Sequence, residues 1–292
     1  IAAEMRSGIR VLYASEYGSS AKGYANKYSD IDVMFVYAYG PLDYYGISPL
    51  ETSIKFQDGN TEYSGMEIRS FFRSLHKSNV EFMSMLYAGY NRIYEMPWFV
   101  RKTQLASIPV QNPAKSLWHH YHICKGYSVD IDGSIESRAK RLAKCSYHFL
   151  CMTWTEFWIK QPRAATRIRN HSPMYREKLF TQAETLIHPS SAKDLLVGLK
   201  EAYGNDQITN DCARAIYSRT TYHNPVNLED PVSLYDPEFA KEFLRNVSFL
   251  LELKKSEYED IKTTISQAAL DEAEDELNSI AAMYIQTAWQ RS

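Results

Sequence analysis

The stretch Gly8–Tyr37, GIRVLYASEYGSSAKGYANKYSDIDVMFVY, decides how the rest of the chain is read. Ile9–Ser15 (IRVLYAS) is a short apolar run and Ile31–Tyr37 (IDVMFVY) is rich in β-branched and aromatic residues, so both are expected to be strands. Between them lies Gly18-Ser19, where glycine lets the backbone turn and lets N–H groups come close to an anion. The second strand opens on Ser29-Asp30-Ile31-Asp32-Val33. Residues two apart in a strand share a face. Asp30 and Asp32 are therefore expected on one face, with Ile31 and Val33 turned the other way, towards the core.

Working outward, Gly40, Pro41, Gly46 and Pro49 mark a loop. Ser53–Gln57 and Asn60–Tyr63 then flank Asp58-Gly59, a hairpin signal. Ser64 and Glu67 have the spacing of an S-x-x-E capping box, and Ile68, Phe71, Phe72 and Leu75 follow at helical spacing. Beyond Pro97, Pro109 and Pro113 the pattern turns helical. Helices are expected over Ser137 to about Ile159, Lys178–Leu186, Ala192–Tyr203, Glu238–Leu253 and Ser266–Gln290. The layout is thus an α/β domain over residues 1–111 and an all-helical domain over 112–292.

Two carboxylates on a strand invite a cation. Hard divalent ions take oxygen ligands, and transfer of a nucleotide from an NTP uses two such ions. A third carboxylate is expected on a neighbouring strand, and Glu62, on the second arm of the hairpin, which antiparallel pairing would bring beside Asp32, is the choice. Glu67 competes, but capping gives it a structural task. Lys22 adds a positive charge near the glycine turn.

These residues together carry a resemblance. Gly8–Tyr37, Thr61–Phe72 (TEYSGMEIRSFF) and Lys77-Ser78-Asn79 resemble the DNA polymerase beta-like nucleotidyltransferases, most closely their branch associated with RNA ligase (the RlaP or YcgL-type group). The resemblance implies an N-terminal nucleotidyltransferase domain, a small mixed sheet with helices, followed by a helical domain that closes over nucleotide and acceptor. It implies that Asp30, Asp32 and Glu62 bind Mg²⁺ (or Mn²⁺) and that Gly18, Ser19, Ser20 and Lys22 meet the phosphates of an NTP such as ATP. Lys140, Lys144 and Tyr147 resemble the family's basic, tyrosine-bearing helix that faces the nucleotide. Three positions depart from the pattern: Ser20 stands for Arg, Met66 for Trp and Glu62 for Asp. The association with RNA ligase points to an RNA 3′ end (or tRNA) as acceptor, with a protein or small-molecule hydroxyl as the other options. Two rival readings are a nucleotide- or RNA-binding module without turnover and an Asp-x-Asp glycosyltransferase.

Composition narrows the field. A net charge of −2 argues against a chain coated with nucleic acid, though a local basic groove remains compatible with it. The 22 tyrosines serve equally as core or as stacking surface. Four cysteines without a CxxC pair, no signal peptide and no membrane-length apolar run together lead us to expect a cytoplasmic protein without a membrane partner. Starting at Ile1, the chain is expected to lack a few leading residues. His119, His120, His122 and Cys124 match no closed zinc pattern. Asp130-Ile131-Asp132-Gly133 lacks the distal Glu of a calcium loop. Trp154, Phe157 and Trp158 read as core.

Overall fold

A computed structural model of the chain describes residues 8–87, 92–129, 134–162, 191–221, 236–262 and 265–290. The expected helix over Lys178–Leu186 and the Asp130–Gly133 segment lie outside these residues. Two compact units are present. One holds residues 1–21, 30–111 and 264–292, and the other 22–29 and 112–263.

The first unit is built on a five-stranded sheet. Its strands are β1 (Arg10–Tyr17), β2 (Ile31–Ala38), β3 (Ser53–Asp58), β4 (Thr61–Glu67) and β5 (Arg92–Glu95), in the order β3-β4-β2-β1-β5. β3 and β4 form the expected hairpin, with Gly59 at a φ of 58° in the turn. The hairpin inserts β4, not β3, beside β2, and the β2–β4 pairing is parallel, whereas the sequence reading looked to antiparallel pairing. The parallel order needs a return along the sheet, and β3 supplies it: residues 39–52 only join the end of β2 to the start of β3, which lie at the same end of the sheet. Tyrosines pin that loop: the Tyr37 and Tyr39 hydroxyls both donate to the Glu51 carbonyl, at 2.8 and 3.2 Å.

The helix after β4, α2 (Ile68–His76), starts differently from its expected capping box. Ser64 remains in the strand. Glu67 itself is the N-cap, accepting from the Ser70 N–H at 3.0 Å and from the Tyr44 hydroxyl at 2.9 Å. The strand period runs through Glu67, so no residue upstream of it is free to cap. Further helices are α1 (Gly18–Lys22), α3 (Val80–Tyr87), α4 (Phe99–Ser107) and α10 (Gln267–Gln290). Leu12, Val36 and Ala38 of the sheet pack with Ile68, Phe71, Phe72 and Leu75 of α2. Leu277, Ile280, Ala281, Tyr284 and Ile285 of α10 complete this core. The last helix, which the sequence reading gave to the helical domain, thus packs in the sheet unit: its apolar stripe shows that it is buried but not against what. Val33, Phe35 and Tyr37, alternating with these residues, form a separate cluster with Phe56 and Tyr63. Ile31, expected on the core side, is exposed at the strand's first position.

The second unit is helical: α5 (Pro113–Tyr127), α6 (Ile135–Lys160), α7 (Ala192–Tyr203), α8 (Gln207–Thr221) and α9 (Pro237–Glu259). Their starts are legible. Asn112 and Asp236 cap α5 and α9 ahead of Pro113 and Pro237, and Ser134 caps α6. Leu142, Phe149, Trp154 and Phe157 lie in its core, with Trp158 packed at the edge. Buried Glu156 accepts hydrogen bonds from Lys160 at 2.7 Å, Lys254 at 2.6 Å and the Tyr258 hydroxyl at 2.8 Å. Burial alone would raise its carboxyl pKa, but these three donors outweigh that and hold it below its ordinary value of 4.5.

A group with a depressed folded pKa contributes stability that is complete above its unfolded pKa and lost as pH falls through the folded one. Glu156→Gln is therefore expected to lower the unfolding free energy at pH 7 by about 2–3 kcal/mol, less than for a fully buried pair because Lys160 is half exposed. Urea titrations at pH 7 and pH 4 check this: the variant should lose less stability between them than the parent chain.

Candidate active site

Asp32 sits on β2, facing Tyr17 across the antiparallel β1 pairing and Glu62 across the parallel β4 pairing. Asp30 precedes the strand by one residue. Ile31, between the two, donates its N–H to the Asn60 carbonyl at 3.0 Å and so ties the start of β2 to the hairpin turn. Asp30, Asp32 and Glu62 each offer a carboxylate oxygen, and these three atoms lie within 4.8 Å of one another. Asp32 is half-buried and the other two are exposed. At such separations each pair of carboxylates repels by about 1 kcal/mol in water and about 3 kcal/mol near a protein surface. A cation among them would relieve all three repulsions at once. Among the described residues this is the single group of three such ligands.

Gly18 is part of the same arrangement. It follows Tyr17, the partner of Asp32, and takes a φ of 65°. A Cβ at this position would lie 1.7 Å from Asp32 Oδ2 and 2.6 Å from its Cγ. Glycine here gives both the left-handed backbone and the space that Asp32 occupies. The Gly18-Ser19 turn expected from the sequence is the first turn of α1, with Ser19 buried and Ser20 exposed. Glycine's backbone freedom is legible at Gly18 in the sequence, but its contact with Asp32 has no sequence signal.

The remaining site expectations fall in the helical unit. Lys22 is 7% exposed, with its Nζ 5.7 Å from the centre of the Tyr147 ring. Tyr147 is 2% exposed and packs against Tyr24, so its ring lies in the core rather than on a surface open to a nucleotide. Lys140 and Lys144 line a cavity of about 180 Å³ together with Tyr127, Ser137, Arg138 and Arg141. Arg141 donates there to the carbonyls of Gly126 and Val129, at 2.6 and 3.0 Å. His148, one turn beyond Lys144, is buried against His120, with their Nδ1 atoms 3.0 Å apart. Burial first, then Lys22, His119 and Lys144, hold its pKa well below the usual imidazole value.

Residues 2–189 match the family described as RlaP, RNA repair pathway DNA polymerase beta family. The chain belongs to that family. Membership supports nucleotidyl transfer as the general activity, and the match covers the carboxylates, the glycine turn and the helices α5 and α6. Over 187 residues the chain is 26% identical to the uncharacterized protein YcgL of Bacillus subtilis (strain 168), spanning 63% of this chain and 71% of that protein. A nucleotidyltransferase-like protein from Exiguobacterium sibiricum 255-15 aligns over 98% of this chain and 88% of its own, at 10% identity and a TM-score of 0.25, a likeness too slight to argue from. No helix among the described residues is long and apolar enough to cross a membrane.

Gly18→Ala is expected to push the Asp32 carboxylate out of place and to add a left-handed backbone strain of about 1–2 kcal/mol. Thermal unfolding and Mn²⁺ binding followed by electron paramagnetic resonance check the two effects separately. A small fall in melting temperature should accompany a large loss of ion affinity.

Proposed function

We propose that this chain moves an NMP from an NTP to an acceptor hydroxyl and releases pyrophosphate, with Asp30, Asp32 and Glu62 as the ion-holding group. The observation that carries this reading is the meeting of the three carboxylates at the adjoining starts of β2 and β4. An all-oxygen donor set suits a hard cation such as Mg²⁺ (or Mn²⁺). When bound, the ions supply positive charge for the acceptor oxygen and for the leaving pyrophosphate.

The chain's own residues do the rest. The acceptor oxygen bonds to the α-phosphorus as the bond from that phosphorus to the bridging oxygen of the β-phosphate breaks, and the electron pair leaves with pyrophosphate. Glu62, exposed at the strand start, takes up the hydroxyl proton on its carboxylate. Asp30 and Asp32 hold the ions, and the N–H groups at Gly18 and Ser19 meet the β- and γ-phosphates, as preorganised donors do in phosphoryl transfer. With Ser20 in the family's Arg position, no guanidinium is assigned to the phosphates. Lys140 and Lys144 add positive charge for an anionic substrate. Support for an RNA 3′ end as acceptor comes from the family's description as an RNA repair pathway family. The four cysteines are free thiols, which supports a reducing compartment such as the cytoplasm.

The test incubates the protein and Mg²⁺ with each of four α-labelled NTPs and a pool of RNA and protein. Label should move to RNA, and both Asp30→Asn and Asp32→Asn should cut the rate by on the order of a hundredfold or more. Label moving to protein would change the acceptor and keep the chemistry. Nucleotide binding without any transfer or pyrophosphate release would favour a binding module, and release of an NDP from an added nucleotide-sugar would favour glycosyl transfer.

A further inference from the structure

Arg219, on α8, is the largest fully buried side chain among the described residues, at 2% exposure. A guanidinium stays charged at any pH a protein survives, and burying a charge is costly unless its surroundings are arranged around it. The guanidinium carbon lies 5.6 Å from the centre of the Tyr24 ring, and one terminal nitrogen donates to Ser29 Oγ at 3.2 Å. Tyr24 is itself buried, with its ring 5.6 Å from that of Tyr147.

Ser29 is the residue before Asp30. Its Oγ also accepts from the Asn26 N–H at 3.0 Å and donates to Asn26 Oδ1 at 3.2 Å. With Arg219 as the second donor, the hydroxyl has committed its one proton and both lone pairs. The Ser29 N–H returns to the Asn26 carbonyl at 3.0 Å, closing a tight turn. On the other side of Asp30, Ile31 is held by Asn60. Asp30 is exposed and short-armed, so its two pinned neighbours set where its Cβ sits and leave its carboxylate only the few rotamers that a short arm allows.

From this arrangement we infer that Arg219 is a positioning residue for the ion site: it fixes Ser29 and, through the backbone, the direction of Asp30. The inference rests on the reading of Asp30 as an ion ligand. The bland alternative is that Arg219 only stabilises the helical core. That would lower stability on mutation and leave ion binding unchanged.

Mn²⁺ affinity of the full chain, followed by electron paramagnetic resonance, separates the two. Ser29→Ala changes little volume and leaves Arg219 in place, so it carries the test even if an Arg219 variant fails to fold. Ser29→Ala and Arg219→Gln should each weaken Mn²⁺ binding about tenfold, the scale seen when a residue supporting a metal ligand is lost. The double variant should be no weaker than the weaker single one. Arg219→Lys, which keeps the charge over Tyr24, should recover part of the affinity. Asp30→Asn is the control. If it abolishes tight binding while Ser29→Ala and every folded Arg219 variant bind Mn²⁺ as the parent does, the positioning role is overturned and the ion site stands. If Asp30→Asn itself changes nothing, the ion-site reading fails and takes this inference with it.

Discussion

In a parallel strand pair the register decides which side chains share a face and a level. Here the β2–β4 register sets Asp32 level with Glu62, and a slip by one residue would turn Glu62 to the opposite face of the sheet. Three devices hold it. The two-residue hairpin fixes β4 against β3. The Ile31–Asn60 hydrogen bond fixes the start of β2 against the turn. Gly65 lies opposite Phe35, where a Cβ would come within 2.3 Å of the ring, so no residue with a side chain fits that level. The carboxylates thus owe their meeting to packing several residues along the strands.

Against that packing stands the repulsion of three like charges. A chain selected only for stability would gain by replacing one carboxylate with a neutral residue. Gly18 adds to the case, since it gives up a side chain and adopts a left-handed backbone where Asp32 needs the room. Local structure, close contact and charge all yield to the same point, as expected where a site is built at some expense to the fold.

Much of this was legible in the residues, and the failures have physical causes. The strands, the Asp58-Gly59 hairpin and the face of α2 follow from periodicity and turn chemistry. Glu67 accepts from the Ser70 N–H and the Tyr44 hydroxyl, whereas Glu62 lies beside Asp30 and Asp32. The hairpin's direction relative to β2 was not legible, since a loop as long as residues 39–52 permits either sense. Helical spacing put Lys140, Lys144 and Tyr147 on one helix but could not tell core from surface, and Tyr147 proved to be core. Arg219 gave no signal: a lone arginine in an amphipathic helix reads as solvated, and its partner Ser29 is 190 residues away.

The most direct test of the central claim is anomalous diffraction from crystals grown with Mn²⁺ and a non-hydrolysable NTP analogue. The account predicts manganese peaks within coordination distance of carboxylate oxygens of Asp30, Asp32 and Glu62, with the analogue's phosphates reaching the same ions. Phosphates bound elsewhere, or manganese found only away from these three residues, would contradict it.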